Sequence, residues 1–365
     1  MSIINPKSQT LDPSRIHCVV GGQFGSEAKG HVTAQIIARL LDEGERPINV
    51  RVGGPNAGHS AANYRNGTVV ALRTIPIGAV VDEQVTLVIG QGSEIDPEVL
   101  YHEIDVLGAL GIEVQHRLII DQYATMLFGE HRETEQAEQL TERTGSTGKG
   151  IGACRADRIM RGATIARDYQ FDARYKITVA DTASMLNQTQ QPIVIEGTQG
   201  YGLGLHTRFY PYTTSGDCRA IDICAQAGIM PTRQRPIHAW VVVRTYPIRV
   251  AGNSGPLSNE VDWDQLNQRN SSIAPEYTTV TKKMRRVGEW DADLVREAIA
   301  ANGGTGDHLS VCLMFADYLD PALAGVQYWA QVDPVSMVPI TELEYDIGQQ
   351  CAMYGTSPTQ VLWTR

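Results

Sequence analysis

Hydrophobic positions along the chain fall into short, unbroken runs separated by stretches with helical spacing. Ile16–Val20 is such a run, and it leads directly into the glycine-rich segment Gly21–Gly30. Behind that segment, apolar residues recur every three or four positions from Val32 to Leu41, the period of a helix with one buried face. Val85–Ile89, Leu118–Ile120, Ile193–Ile195, Ile237–Val243 and Leu309–Phe315 repeat the short-run pattern. Between Val85–Ile89 and Leu118–Ile120, Asp96, Pro97 and Glu98 give a helix start and Gly111 a stop. Apolar runs without alternation predict strands buried on both faces, and strands alternating with helices predict a mostly parallel sheet. The predicted class is α/β, with a mostly parallel central sheet and flanking helices.

Composition narrows the functional classes. With 42% hydrophobic residues in 365, the chain has material for a large core, and no linker or internal repeat divides it. It reads as a single domain over 1–365, with 1–15 as a flexible N-terminal extension. The net charge of −10 argues against a nucleic-acid coat or an anionic membrane surface. No apolar run approaches the ~18–20 residues of a bilayer span, and the N-terminus does not resemble a signal peptide. Six cysteines without a CxxC pair read as buried, reduced thiols in a cytoplasmic protein (host cytoplasm for a viral one). Nine histidines without HxH or HExxH spacing make a structural zinc site a poor fit.

Glycine, at 35 residues, clusters in four loops that fall at predicted strand ends, where open α/β sheets bind ligands. The segment GGQFGSEAKG joins a strand to a helix and carries Lys29, the makings of a phosphate cradle or of a tight structural turn. It does not match the ordinary GxxxxGK[ST] loop, because Gln23 and Ala28 stand at the two glycine positions and Gly30 at the hydroxyl position. GGPNAGHS places His59 behind a second loop, as a general acid or as a hydrogen-bonded loop residue. GSTGKGIG offers small hydroxyls and Lys149 to a phosphate, or forms a surface loop. EGTQG presents Gln199, whose amide has both donor and acceptor for a purine edge. Lys282, Lys283, Arg285 and Arg286 put four cations in five positions of an acidic protein, suited to a carboxylate-bearing substrate or to solvent.

In this order, the segments resemble the adenylosuccinate synthetase family. GGQFGSEAKGH resembles its phosphate loop GxQWGDEGKGK, GGPNAGHS its GGxNAGHT, GSTGKGIGA its GTTGRGIGP, and EGTQG its EGAQG. FYPYTTSG, RVAGNSGP and KMRRVG resemble its later segments, and a weaker similarity lies at Gly355–Pro358. The resemblance implies a P-loop-related fold and a two-step, nucleotide-driven ligation. A triphosphate phosphorylates the 6-oxygen of a purine monophosphate, and the amine of L-aspartate then displaces that phosphate, with Mg²⁺ on the phosphates.

The same resemblance implies site residues. Ser26, Lys29, His59 and Gln199 would serve the chemistry. Ser26, Asn56, Ala57, Thr147, Arg161, Gln199, Thr214 and Val250 would hold the monophosphate. Thr279, Val280, Thr281, Lys283 and Arg285 would hold aspartate. Gly25, Ser26, Glu27, Ala28, Lys29, Gly30, Gly58, His59, Ser60, Asp317, Gly355 and Ser357 would hold the triphosphate, and Ser26 with Gly58 the metal. Arg161 implies a homodimer in which this arginine crosses to the partner's site.

Two departures bear on the substrates. Ser26 replaces the family's catalytic aspartate, as in its viral branch, which uses dGMP to make N6-succino-2-amino-2'-deoxyadenylate for 2-aminoadenine DNA. A short hydroxyl leaves room for the 2-amino group beside N1. Phe315 replaces the lysine of the family's LTKLD-like segment while Asp317 is kept, which favours ATP or dATP over GTP. The rival readings are an ordinary IMP-using synthetase and a non-catalytic nucleotide-binding relative.

Overall fold

A computed structural model describes residues 10–63, 66–277 and 283–364. Its centre is a ten-stranded sheet. In chain order the strands are β1 (Ile16–Gly21), β2 (Ile48–Arg51), β3 (Thr86–Ile89), β4 (Leu118–Asp121), β5 (Thr178–Ala180), β6 (Ile193–Gly200), β7 (Ile237–Arg244), β8 (Leu309–Met314), β9 (Cys351–Gly355) and β10 (Val361–Trp363). Across the sheet they run β10-β9-β8-β7-β1-β6-β2-β3-β4-β5. Every pairing is parallel except the edge pair β9–β10, so the sheet is mostly parallel, with β1 near its middle.

The unbroken apolar runs have the predicted cause. On β1, Ile16, Cys18 and Val20 enter the core on one face of the sheet, and Val19 enters the core on the other. Both faces are dry, so neither can carry a polar alternation. The predicted helix after the glycine-rich loop is α1 (Lys29–Asp42), whose Ile36, Ile37 and Leu40 are fully buried. Each such side chain contributes roughly 1.5–3 kcal/mol over its exposed state. The helix announced by Asp96 is α2 (Pro97–Ala109): the Asp96 carboxylate accepts from the N–H groups of Glu98 and Val99, and Gly111 lies in the left-handed region at φ 75°. Proline at the first helical position and glycine beyond the end act here as chain punctuation.

The segment expected to extend freely ends at residue 15, and the described part of it packs on the body. Leu11 is buried in the core, and the backbone carbonyl of Asp12 meets His17 at 3.1 Å. No described helix is long and apolar enough to cross a membrane.

Candidate active site

The glycine-rich loops after β1 and β2 leave the carboxyl ends of parallel strands; with the end of β6 and the loop between the helices Leu140–Thr144 and Ile151–Met160 they wall a cavity of about 1660 Å³. A pocket for one small ligand measures roughly 300–1,000 Å³, so this cavity has space for several.

The loop after β1 is held by its own side chains. The Gln23 amide donates to the carbonyl of Arg244 and accepts from its N–H, both at 3.0 Å, which fastens the loop to β7. Glu27 is buried, and its Oε1 accepts from the N–H of Gly25 at 2.6 Å and of Gln23 at 3.2 Å. Its Oε2 meets Lys29 Nζ at 2.7 Å. Glu27 therefore faces away from the cavity and shapes the cradle from behind. A Cβ at Gly21 or Gly200 would stand 2.6 or 2.5 Å from its carboxylate, so both positions need glycine. The α1 N-terminus that follows has no side-chain cap, and Ala28 enters it at φ 68°. Ala28, Lys29, Gly30 and His31 of this terminus line the cavity, the setting that takes a phosphate. Gly30 lets α1 approach the strand His59–Ala62: a Cβ there would lie 3.2 Å from that of His59 and 3.0 Å from the Ser60 carbonyl oxygen.

His59 is buried at the cavity wall, with Nδ1 2.5 Å from Glu196 Oε1. Arg51, at the end of β2, stands 3.1 Å from the same carboxylate oxygen and donates to the Ala57 carbonyl at 2.8 Å. Burial, reinforced by the Arg51 guanidinium, holds the imidazole below the usual histidine range against the pull of Glu196. Burial opposes ionisation of Glu196, but His59 and Arg51 outweigh it and keep its carboxyl below the ordinary range. The bonding pattern assigns the neutral tautomer with its proton on Nδ1. Nε2 is left buried and without a hydrogen-bond partner among the described residues, as is Oδ1 of Asn56, also on the cavity wall.

Ser26 adopts φ 61°, an uncommon conformation for a side-chain-bearing residue. Its hydroxyl accepts from Arg285, and its carbonyl accepts from Arg244 Nη1 at 3.2 Å. Asp317 lines the far end of the cavity beside Phe315, and burial pushes its carboxyl up to about 6.

The structure brings most of the candidate residues to this one cavity. From the first two loops they are Gly25, Ser26, Ala28, Lys29, Gly30, Asn56, Ala57, Gly58, His59 and Ser60. From the later segments they are Thr147, Gln199, Thr214, Val250, Lys283, Arg285, Asp317 and Ser357. Three do not line it. Glu27 lies behind the loop, Gly355 packs against Met314 within the sheet, and Arg161 is exposed just after the helix Ile151–Met160. Thr279, Val280 and Thr281 lie outside the described residues.

The GSTGKGIG loop has its helix terminus already occupied. Glu135 accepts from the N–H groups of Gly150 and Gly152, each at 2.8 Å, so these donors serve a carboxylate of the chain itself. Thr147 and Lys149 still face the cavity. Sequence reasoning gave Glu196, Arg51 and Glu135 no role. Arg51 left one signal, a charge closing the short run Ile48–Val50.

For Mg²⁺, the donor set is thin. Among the described residues no three His, Cys, Asp or Glu side chains gather as ligands. The Ser26 hydroxyl and the Gly58 carbonyl are neutral oxygens, and Ser26 already faces a guanidinium. Such a site fits an ion carried chiefly by phosphate oxygens and water, as Mg²⁺ commonly is.

Comparison with known proteins agrees with this geometry. The family model for adenylosuccinate synthetase matches residues 18–175 and 163–341. The adenylosuccinate synthetase of Pyrococcus sp. (strain ST700) is 34% identical over 348 residues, covering 95% of this chain and 96% of the relative. That of Archaeoglobus fulgidus is 31% identical over 343 residues, covering 93% and 95%. Among solved structures, the succinoaminodeoxyadenylate synthetase of cyanophage S-2L, bound to dGMP and dATP as an energy donor, superposes with a TM-score of 0.76 at 29% identity. It covers 97% of this chain and 96% of its own. The fully ligated adenylosuccinate synthetase of Plasmodium falciparum shares the fold, with a TM-score of 0.78 at 19% identity over 96% of this chain and 100% of its own. The chain belongs to the adenylosuccinate synthetase family, C–N ligases that consume a nucleoside triphosphate.

Proposed function

We propose that this ligase joins L-aspartate to the 6-position of dGMP, with ATP or dATP as phosphate donor, and releases N6-succino-2-amino-2'-deoxyadenylate. The observation that carries the reading is Ser26: a short hydroxyl, held by Arg285, stands where the family pattern has a carboxylate. It is supported by the similarity to the cyanophage enzyme bound to dGMP and dATP.

In the first step the 6-oxygen of the purine attacks the γ-phosphorus, the bond to the leaving diphosphate breaks, and the N1 proton departs. In the second, the aspartate amine adds at C6, the C6–O bond breaks, and inorganic phosphate leaves as the nitrogen gives up a proton. Lys29 and the uncapped α1 terminus hold the donor phosphates. His59 serves as acid or phosphoryl stabiliser: with Nδ1 held by Glu196, its imidazolium form donates from Nε2 to the transferring phosphoryl oxygens while Glu196 balances the charge. Ser26 is a poor base, so its part is to make room beside N1, and the N1 proton passes to water or a phosphate oxygen. Bound Mg²⁺, which Ser26 and Gly58 would help hold, supplies charge neutralisation on the phosphates.

Gln199 reads the purine, and Asn56, Ala57, Thr147, Thr214 and Val250 surround the monophosphate. Thr279, Val280, Thr281, Lys283 and Arg285 take the aspartate. Phe315 and Asp317 receive the donor base, with Ser357 nearby; the apolar floor suits adenine. The enzyme works as a homodimer, with Arg161 reaching the partner's monophosphate. The exposed Ile159 and Met160, 74% and 78% accessible beside Arg161, support a contact there.

The curated relatives favour a second reading, an ordinary IMP-using synthetase. Phosphate release with aspartate, Mg²⁺ and ATP separates the two. Turnover with dGMP that exceeds turnover with IMP supports the proposal, and the reverse order overturns it. Binding without turnover of either purine, even with GTP as donor, identifies a non-catalytic relative.

A further inference from the structure

We infer that Arg244 is a positioning residue that couples the donor-base end of the cavity to Arg285. The inference rests on the proposed function, which assigns Phe315 to the donor base and Arg285 to aspartate.

Arg244 closes β7 and is 1% exposed. Its guanidinium touches three parts of the site at once. Its Cζ lies over the Phe315 ring, 4.2 Å from the ring centroid. Nη1 donates to the Ser26 carbonyl at 3.2 Å. Nη1 and Nη2 both meet the Glu276 carboxylate, the first at 3.2 Å from Oε2. Glu276 is tied in turn to Arg285: its carbonyl accepts the Arg285 N–H at 2.8 Å, and Tyr277 pairs with Met284 beside it. Arg285 then reaches back to the Ser26 hydroxyl.

The contacts form a closed circuit, Phe315–Arg244–Glu276–Arg285–Ser26, with Arg244 also bonded directly to Ser26. Only a planar guanidinium can stack on a ring and fork onto a carboxylate at the same time; a lysine would keep the charge and lose the plane. A base stacked on the other face of Phe315 fixes the ring on which Arg244 lies. It thereby favours one placement of Glu276 and of the Arg285 backbone bonded to it. By linkage, aspartate on Arg285 strengthens donor binding by the same factor.

The test uses the whole enzyme with Arg244→Lys, Glu276→Gln, Arg285→Lys and the Arg244→Lys/Arg285→Lys double variant, each checked by thermal melting. The expected result is a KM for aspartate raised about tenfold in Arg244→Lys, with the KM for dGMP within about twofold of the parent. The double variant should fall short of the product of the single effects by about fivefold or more. Effects that multiply to within about twofold overturn the inference. A calorimetric ATP titration gives the second readout, because Glu276 has no assigned contact with the donor. Glu276→Gln should bind ATP about fivefold more weakly, and unchanged affinity overturns the inference. If the parent enzyme shows no aspartate-dependent turnover, the functional reading has failed. The ATP titration then decides the coupling between Arg244, Glu276 and the donor by itself.

Discussion

His59 commits one ring nitrogen to Glu196 and leaves the other unspent: Nδ1 stands 2.5 Å from Glu196 Oε1, and Nε2 is buried without a partner among the described residues. The strand His59–Ala62 and β6 are far apart in sequence, and the close approach of α1 at Gly30 holds them in this relation. Glu196→Gln should lower kcat by about 10²–10³ with a smaller change in KM, since an amide cannot balance an imidazolium. Removing a buried charge beside Arg51 also costs stability, so thermal melting must accompany the assay. Rescue by Glu196→Asp would show that the charge matters. A parent-like kcat in a folded Glu196→Gln enzyme would remove Glu196 from the mechanism.

Ser26→Asp restores a carboxylate next to Arg285. On the proposed reading the change brings back a base at N1 and crowds the 2-amino position, so the kcat/KM ratio of IMP to dGMP should rise by at least about tenfold. Competition between the two purines in one assay reads that ratio directly. An unchanged ratio would mean that purine choice resides elsewhere in the cavity.

Phe315 sits at φ 63°, with the Arg244 guanidinium over its ring, and lines the cavity beside Asp317. If the donor base stacks there, Phe315→Ala should raise the KM for ATP by about tenfold or more, because base–aromatic stacking is worth about 1–3 kcal/mol. The KM for dGMP should stay within about twofold of the parent. A variant with parent-like ATP kinetics would place the donor base on another surface.

The central strands were legible because a strand buried on both faces has no polar alternation, α1 because apolar residues recur with helical period over Val32–Leu41, and α2 because Asp96–Pro97 and Gly111 punctuate the chain. Strand β2 escaped notice, since its apolar residues Ile48 and Val50 are separated by the polar Asn49. Asn49 is itself buried, its amide spent on the Val194 carbonyl and the Gly78 N–H. The edge strand β5, Thr178–Ala180, packs one-sidedly and carries too little hydrophobic signal to be seen. In the site, glycine spacing located the loops, but it could not show that Glu27 is buried behind the loop while Lys29 lines the cavity. Nor could it pair Glu135 with Gly150 or Glu196 with His59. Those relations depend on which carboxylate the fold brings to which donor, and that information is carried by packing between distant segments.

Away from the active site, the lower ends of β1 and β7 hold a buried histidine, His17, and a half-buried one, His238, whose partners require them neutral. His17 Nδ1 accepts from the Trp240 indole at 3.2 Å, so its proton is on Nε2. His238 meets Arg15 Nη1 through Nδ1 at 3.1 Å, and its Nε2 faces Ser310 Oγ at 2.9 Å. Burial lowers His17 to about 4 and His238 to about 3, from an unfolded value of 6.5. Between those values the unfolded chain binds protons that the folded chain refuses, so stability rises with pH in this window. The stabilising difference is complete above pH 6.5 and is lost progressively as pH falls toward 4 for His17 and 3 for His238. Each group contributes a slope approaching about 1.4 kcal/mol per pH unit. Urea unfolding at pH 7, 6 and 5 should show this decline, over a range where most carboxylates are still ionised. His17→Asn lowers overall stability but removes one titrating group, so its decline from pH 7 to 5 should be shallower by about 1 kcal/mol or more. The same decline in parent and variant would show that His17 accepts a proton in the folded state.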